Sequence, residues 1–289
     1  MVEDWETESM NPNPYVKDRT FVVTGAGGGI GQKIVRILLE QSALVVATDL
    51  NLESLKNLQN DLRKYSHNLI IAKHDVTDYN SWREVLSVAT SQSISIYGLI
   101  NSAGYLKPVY ISDAKPEDIV NHLDINAKGV MYGSSLFAKY LKKRENGHII
   151  NIASLAGVSP IPGIGLYSAS KFAVRGFTLA LAEELRSFNV KVSCVCPDAV
   201  DTGMLDLQLD YKEAAITFSG GPPLSPYYVA SEVVDLIGKD TLEILLPGWR
   251  GILAKMNNFV PDVGKFLINP FQDRGLKAQE KIKKKKTIK

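Results

Sequence analysis

Residues 24–31 read Thr-Gly-Ala-Gly-Gly-Gly-Ile-Gly and stand between an apolar run that ends at Thr24 and a helical pattern that carries Ile34 and Leu38. Glycines in this position let the backbone turn tightly and let a pyrophosphate approach the amide groups of a helix N-terminus. Two spacings fit the stretch equally well: Gly25-x-x-x-Gly29-x-Gly31 and Gly25-x-x-Gly28-x-x-Gly31. The stretch therefore predicts a strand, a phosphate-binding loop and a helix.

Short apolar runs alternate with helical patterns from Arg19 to Leu246. The runs are rich in β-branched residues and lack polar alternation, which is typical of strands buried on both faces. This order predicts an α/β fold: a Rossmann-type, doubly wound parallel sheet of about seven strands in a single domain, followed by a C-terminal helical extension. The predicted strands are Phe21–Thr24, Leu44–Thr48, Leu69–Lys73, Ile96–Asn101, His148–Ile152, Val190–Cys196 and Leu242–Leu246.

The composition is that of an ordinary globular chain. Of its 289 residues 45% are hydrophobic and 22% charged, which excludes a mostly disordered or a collagen-like protein. No apolar stretch reaches the roughly 18 residues of a membrane span. Four acids among the first ten residues argue against a signal peptide, and two cysteines exclude a disulfide scaffold, so we expect a cytoplasmic protein. The histidines and cysteines show no metal-ligand spacing, so no metal site is predicted.

An acidic residue ends the second predicted strand. Asp49 lies 20 residues after Gly29, near the offset at which a carboxylate accepts the 2′-hydroxyl of a cofactor ribose. The same carboxylate repels a 2′-phosphate, and Leu50 and Asn51 bring no arginine to hold one. The sequence therefore favours NAD over NADP; the alternative is that Asp49 only caps the next helix.

A serine, a tyrosine and a lysine indicate the chemistry. Tyr167 and Lys171 are four residues apart in a helical pattern, so the phenol and the ammonium project from one face. Ser154 follows a predicted strand, and such sheets bind their ligands at the carboxyl ends of the strands. A phenol with a pKa of about 10 is a poor base at neutral pH, but a nearby ammonium and an oxidised nicotinamide favour the phenolate. The serine hydroxyl can hold the substrate oxygen.

With the glycine loop, these residues resemble the short-chain dehydrogenase/reductase family over about residues 18–247. Ser154 and Tyr167 are 13 residues apart, and Asn126 lies 28 residues before Ser154, as in the family. The segment Asn101-Ser102-Ala103-Gly104 resembles the family's Asn-Asn-Ala-Gly, with Ser102 substituted. The second glycine spacing suggests the longer epimerase/dehydratase branch, but this segment, Asn126 and the modest length argue against that branch.

The resemblance implies an NAD-dependent alcohol dehydrogenase or ketone reductase. Tyr167 would be the general acid/base and Ser154 would polarise the carbonyl. Lys171 would bind the nicotinamide ribose and lower the tyrosine pKa, while Asn126 would hold a relay water. The residues implied to bind the cofactor are Gly25, Gly29, Ile30, Gly31, Asp49, Leu50, Asp75, Val76, Asn101, Ala103, Gly104, Tyr167, Lys171, Pro197 and Thr202. The residues implied to contact the substrate are Ser154, Tyr167 and Met204.

The segment after the sixth predicted strand departs from the family pattern. Asp198 replaces the glycine of the family's Pro-Gly-x-x-x-Thr, at the point where that loop approaches the nicotinamide carboxamide, while Thr202 is kept. Residues 198–228 are predicted to form a lid over the substrate. Their many apolar side chains predict an apolar substrate, a lipid-, steroid- or acyl-like alcohol or ketone.

The C-terminal part is an addition to the family pattern. Residues 248–272 are predicted to be an amphipathic helical extension and residues 273–289 a polybasic tail; residues 274–289 hold eight of the 33 basic residues and one of the 31 acids. The extension either packs on the domain or binds an anionic membrane surface with the help of the tail. A nucleic-acid partner is not expected, because the lysines lack interleaved aromatic residues. The apolar residues at helical spacing are Trp249, Ile252, Leu253, Met256, Phe259 and Val260.

Two further expectations concern the ends of the chain and the assembly. Residues 1–17 are predicted to be a flexible lead-in, and a homodimer or homotetramer is expected. Two rival functions are an NAD-binding redox sensor and a membrane-associated scaffold, both without turnover. The complete set of Asn126, Ser154, Tyr167 and Lys171 argues against a sensor, which has no need of an acid/base apparatus.

Overall fold

One parallel sheet organises the computed structural model, which describes residues 12–92, 95–259 and 261–287. Its seven strands have the order β3-β2-β1-β4-β5-β6-β7, so the strand order reverses between β1 and β4. This confirms the Rossmann-type fold, and each strand begins and ends within one residue of its predicted bounds. The strands are β1 (Thr20–Thr24), β2 (Leu44–Asp49), β3 (Leu69–Lys73), β4 (Ile96–Asn101), β5 (Gly147–Ile152), β6 (Val190–Pro197) and β7 (Glu243–Leu246).

Helices cover both faces of the sheet and bury it. Successive side chains of a strand point to opposite faces, and in β1 Phe21 belongs to one core while Val22 belongs to the other. Helices α1, α2 and α8 pack on the first face, and α3, α5 and α6 on the second. The helices are α1 (Gly29–Glu40), α2 (Leu52–Asp61), α3 (Tyr79–Gln92), α4 (Pro116–Leu123), α5 (Gly129–Lys142), α6 (Gly165–Leu185), α7 (Gly203–Asp206), α8 (Pro226–Leu236), α9 (Gly248–Phe259) and α10 (Pro261–Thr287).

The N-terminal segment differs from the predicted flexible lead-in where the structure describes it. Val16 is fully buried, the Asn13 amide donates to the carbonyls of Val234 and Ile237, and the ring of Tyr15 stacks on Tyr97. Residues 12–17 therefore seal the edge of the domain at the end of α8. Residues 1–11 lie outside the described residues.

The C-terminal extension also differs in its boundaries. Helix α10 runs without a break through the predicted boundary between residues 272 and 273, because lysine and glutamine are good helix formers and the helix packs on a 3₁₀ turn at Lys212–Phe218. Val260, the last member of the predicted apolar stripe, and residues 288–289 lie outside the described residues. Among the helices that the structure describes, none combines the length and apolar character needed to cross a bilayer.

Candidate active site

A cavity of about 790 Å³ opens at the carboxyl ends of the central strands. This edge of the sheet, where the strand order reverses, is the place at which doubly wound folds bind ligands. The residues that follow β4, β5 and β6 and the start of α1 line the cavity: Ile30, Ser102, Gly104, Ser154, Pro197 and Thr202.

The glycine loop fits closely against two neighbouring segments. Gly25 has a φ of +65°, and a Cβ there would lie 2.7 Å from the backbone of Ala103. A Cβ on Gly29 would lie 2.5 Å from the methyl group of Thr202, whereas one on Gly28 would meet nothing nearer than 3.4 Å. Packing therefore requires glycine at 29 rather than at 28, which favours the first of the two spacings. The loop presents the N-terminus of α1, where backbone N–H groups can hold a pyrophosphate.

Asp49 lies beside this loop. Its Oδ2 accepts a hydrogen bond from the backbone N–H of Gly27 at 3.0 Å, and its Oδ1 accepts from Asn51 N at 2.9 Å. The side chain of Asn51, and not that of Asp49, caps α2 by accepting from the first free N–H groups of that helix. The half-buried Asp49 carboxylate thus faces the glycine loop, with the exposed Leu50 next to it.

The residues after β3 stand at the same edge. Asp75 Oδ1 accepts from the N–H and the hydroxyl of Thr77, at 2.8 and 2.7 Å. The carbonyl of Val76 accepts from Trp82 Nε1 at 3.0 Å, and the Val76 side chain packs against Gly129. These contacts fix the turn that carries Asp75 and Val76, which are predicted to bind the cofactor.

Asn101, at the end of β4, turns its side-chain amide into the sheet. Its Nδ2 donates to Asn151 Oδ1 at 2.8 Å and to Ser134 Oγ at 3.1 Å, within the buried layer between β4, β5 and α5. The next two residues point back to the glycine loop, because the N–H groups of Ser102 and Ala103 donate to Thr24 Oγ1. The Asn101 amide therefore joins β4 to β5 and α5, and the predicted part of Asn101 in cofactor binding stays a prediction.

Ser154, Tyr167 and Lys171 meet at the end of β5. Ser154 begins a short 3₁₀ turn by accepting from Ala156 N at 3.1 Å, and its hydroxyl donates to the carbonyl of Pro197 at 3.4 Å. Lys171 lies one turn further along α6, donates from Nζ to the carbonyl of Ile152 at 2.8 Å and lies 5.6 Å from the centroid of the Tyr167 ring. All three side chains line the cavity.

The pKa values of the phenol and the ammonium are governed by burial. Burial raises the pKa of Tyr167 to about 12, although the neighbouring Ser154 hydroxyl acts in the opposite direction. Burial likewise lowers the pKa of Lys171 to about 8. In the protein alone burial therefore governs the pKa of Tyr167, and the lowering of that pKa by Lys171 stays a prediction for the site with its cofactor. The reason is that a low-dielectric site disfavours the charged form of both groups.

Asn126 is held at the same corner by a π-helical turn, Asp124–Lys128, between α4 and α5. Single π-turns inside helices occur frequently at functional sites. The buried amide accepts from Tyr105 N at 2.7 Å and donates to Tyr105 O at 2.8 Å and to Ser170 Oγ at 2.9 Å. A Cβ placed on Gly104 would lie 3.6 Å from Asn126 Oδ1 and 3.8 Å from Lys171 Nζ, so these two side chains converge.

The outer wall of the cavity comes from the predicted lid and from the C-terminal extension. Met204 lines the cavity, and its methyl group would lie 3.7 Å from a Cβ on Gly104. Asp198, in the position of the family glycine, forms an ion pair with Arg250 of α9. Burial raises the pKa of the Asp198 carboxyl, and the nearby Arg250 guanidinium opposes that shift. The extension is therefore joined to the loop beside the predicted nicotinamide position.

Fold and site together define a Rossmann-type protein with a dinucleotide cradle and a Ser-Tyr-Lys-Asn set at the strand ends. The short chain dehydrogenase family model matches residues 19–212, and the chain belongs to this family. It is 34% identical to an uncharacterized oxidoreductase of Staphylococcus saprophyticus over 66% of this chain and 78% of that protein. An uncharacterized oxidoreductase of Staphylococcus aureus is 35% identical over 65% of this chain and 80% of that protein. The chain is thus an oxidoreductase of the short-chain dehydrogenase type.

Solved structures show the same fold at low sequence identity. A short chain dehydrogenase/reductase from Burkholderia phymatum in complex with NAD has a TM-score of 0.79 and 23% identity, covering 88% of this chain and 97% of that one. ElxO with NADP bound has a TM-score of 0.72 and 23% identity, covering 81% and 99%. Levodione reductase has a TM-score of 0.75 and 20% identity, covering 82% and 98%.

Several residues of the cavity wall belong to no sequence motif. The fixed loop before α6 contributes Leu155 and Ile161, and the C-terminal helices contribute Trp249, Asn257 and Arg274. The helical stripe in the sequence signals an apolar face at Trp249, but nothing local signals that this helix closes the site. Ser170, which holds Asn126, lies three residues after Tyr167 and carries no separate signal.

Proposed function

We propose that the protein transfers a hydride between NAD(H) and an apolar alcohol or ketone. The observation that carries this proposal is the convergence of Ser154, Tyr167 and Lys171 in one cavity beside the glycine loop. The bound nicotinamide would supply or accept the hydride. The glycine loop fits the cofactor, because α1 begins at Gly29 with no side chain capping its N–H groups, which can therefore hold a pyrophosphate.

The protein's own groups would handle the proton and the substrate oxygen. Tyr167, protonated at neutral pH, would donate its phenolic proton to the ketone oxygen, and Ser154 would hold that oxygen by a hydrogen bond. The buried Lys171 and Asn126 would fix the geometry of this corner through their contacts with Ile152 and Tyr105. In the oxidation direction Tyr167 would accept the proton, a step helped by the positive charge of the oxidised nicotinamide.

NAD is the proposed cofactor, with NADP as the weaker alternative. Support comes from the carboxylate of Asp49 at the glycine loop, which would accept a ribose 2′-hydroxyl and repel a 2′-phosphate. An apolar substrate is supported by the side chains that surround the cavity. These apolar lining residues include Leu106, Leu155, Ile161, Ile164, Met204, Leu205 and Ile216.

The experiment is a screen of alcohols and ketones that grade from small and polar to long-chain and polycyclic, with NAD(H) and NADP(H) in parallel. Turnover is read from the absorbance of the reduced cofactor. We expect turnover with NAD(H) and a kcat/KM that rises with apolar surface. Cofactor binding without turnover of any compound would favour the redox sensor, and equal use of NADPH would contradict the assigned role of Asp49. The cytoplasmic location and the homodimer or homotetramer stay predictions, the latter testable by sedimentation.

A further inference from the structure

The apolar side of helix α9 faces away from the domain, unlike the apolar side of an ordinary surface helix. Three of its four polar side chains contact the domain, while Asn258 is exposed: Arg250 pairs with Asp198, Lys255 Nζ lies 2.7 Å from Glu243 Oε2, and Asn257 donates to Ser159 Oγ at 2.7 Å. A surface helix usually turns its apolar stripe to the core and its polar residues to solvent. Polar contacts therefore hold α9 in place, and its apolar side is left outside.

The outward face of α9 is a continuous apolar surface. Its members recur at spacings of three and four residues and so share one side of the helix. Their exposed fractions are large: 61% for Trp249, 61% for Ile252, 55% for Leu253, 61% for Met256 and 86% for Phe259. Contiguous apolar patches of this kind, rimmed by polar residues, mark interaction surfaces.

The neighbouring helix α10 adds positive charge. Arg274, Lys277, Lys281 and Lys284 are all exposed, and their spacing of three and four residues places them on one side of the helix. In the described part of the chain no carboxylate forms an ion pair with any of the four. The opposite side of α10 is fixed to the domain, where the buried Gln279 amide donates to the carbonyls of Gln208 and Tyr211.

The cavity opens through this surface. Trp249, Leu253 and Met256 line the cavity and are also more than half exposed, and Phe271 and Arg274 of α10 stand beside them. The apolar face and the mouth of the candidate active site are therefore continuous.

We propose that the outward face of α9 and the basic side of α10 form a docking surface for an anionic lipid bilayer, named here the α9–α10 surface. An apolar helix face buried at the headgroup boundary and a cluster of lysines together provide the two signals that stable, reversible membrane binding needs. Basic side chains match anionic headgroups, whereas a second copy of the chain would bring the same positive charge against them. If the proposed oxidoreductase activity holds, an apolar substrate would pass from the bilayer into the cavity without crossing water.

The experiment is flotation of the full-length protein with vesicles of equal parts phosphatidylcholine and phosphatidylserine, and with phosphatidylcholine vesicles, at low and high salt. We expect binding to the anionic vesicles that weakens as salt rises. We also expect a blue shift of tryptophan fluorescence that is reduced in Trp249→Phe, because an inserted Trp249 leaves water, whereas Trp82 is already buried.

Two sets of substitutions separate the apolar and the charged contributions. Ile252→Ser with Phe259→Ser should weaken binding by roughly tenfold or more, since both side chains would lose their apolar contact. Lys277→Glu, Lys281→Glu and Lys284→Glu together should abolish binding at low salt. The matched control carries the same charge change on other exposed lysines, Lys64→Glu, Lys139→Glu and Lys143→Glu, and should still bind. All these side chains are exposed and lie outside the cavity, so the melting temperature should be unchanged.

The proposal is overturned if the wild-type protein fails to float with anionic vesicles at low salt, or if the Ile252 and Phe259 variant binds as the wild type does. It is also overturned if that variant instead dissociates a dimer while vesicle binding is absent, which would assign the surface to a second copy. Vesicle binding requires no turnover, so failure here and failure of the proposed oxidoreductase activity are distinguishable.

Discussion

The phenol of Tyr167 keeps its proton at neutral pH, because burial raises its pKa to about 12. Tyr167→Phe removes that proton and leaves the ring in place. We expect kcat to fall about 10²–10⁴-fold, the usual cost of losing a general acid or base, with cofactor affinity nearly unchanged. Steady-state kinetics and a cofactor-binding titration check this. Tyr132→Phe, on α5 and outside the cavity, is the control. More than about a tenth of wild-type kcat in Tyr167→Phe would refute the assignment.

Asp49 offers a second test at the level of one side chain. Asp49→Ala removes the negative charge that would repel a 2′-phosphate and the acceptor that would hold a 2′-hydroxyl, so preference should move toward NADP. Asp49→Asn removes the charge and keeps one acceptor oxygen, which can serve the N–H of Gly27 or of Asn51 but not both, so it separates the loss of charge from the loss of every acceptor. The ratio of kcat/KM for NADH and NADPH is the measurement. An unchanged ratio in both variants would show that another group selects the cofactor.

At the scale of single elements, the junction of β5, β6 and the end of α8 contains a buried histidine. Gly238 N donates to His148 Nδ1 at 3.1 Å, so the neutral ring donates from Nε2 to Ser193 Oγ, 2.9 Å away. Protonation of Nδ1 would place its N–H against the N–H of Gly238, so that two donors would face each other. Burial, with a smaller contribution from the charge of Lys191, lowers the pKa of His148 to about 3.

This histidine should make the domain acid-sensitive. In the unfolded chain His148 binds a proton as the pH falls below its ordinary pKa of 6.5, whereas in the folded protein it stays neutral down to about pH 3. The free energy of unfolding therefore falls as the pH drops from 6.5 to 3. The slope for one such group is about 1.4 kcal/mol per pH unit. Urea unfolding at pH 7 and pH 5 should show a shallower decline in His148→Gln than in the wild type. The exposed His67→Gln should retain the wild-type decline, and an equal slope in all three proteins would contradict this account.

The sequence predicted the elements better than their mutual arrangement. Apolar runs of β-branched residues fix the strand bounds, and the spacing of Tyr167 and Lys171 on α6 fixes which side chains share a face. Periodicity also identifies the apolar stripe of α9, but no local signal tells whether a stripe faces the core or solvent. That choice depends on the polar contacts of Arg250 and Lys255 with distant acids.

Other features escape sequence analysis because they are tertiary. The raised pKa of Tyr167 comes from burial that only the assembled site provides. The Asn101 side chain turns to Asn151 and Ser134, whose proximity follows from strand order rather than from spacing along the chain. The position of a residue within a motif therefore predicts where in the fold that residue lies, but it does not predict which group its side chain is hydrogen bonded to.

For the whole molecule, the C-terminal helices are expected to be part of the folded unit. A chain that ends at Pro247 loses the buried Gln279, the close contact of Gly275 with Ala215, and the ion pair of Lys283 with Asp210. We expect its melting temperature to fall by at least about 5 °C, since a few kcal/mol of lost packing shifts a domain of this size by that amount. A chain that ends at Lys284 keeps every one of these contacts and should melt as the full-length protein does. Equal melting of all three would mean that the extension contributes nothing to folding.

Because Asp198 and Arg250 form an ion pair, the residue at position 198 and the C-terminal extension depend on each other. A relative with glycine at the equivalent position could not accept this extension by simple grafting, because Arg250 would be enclosed without a counter-charge. Asp198→Gly in this protein, with the extension unchanged, would likewise leave Arg250 without its counter-charge. A chimaera, or an evolutionary exchange of C-termini, therefore has to carry both ends of the pair. The extension is thus harder to transfer to a relative than its position at the end of the chain suggests.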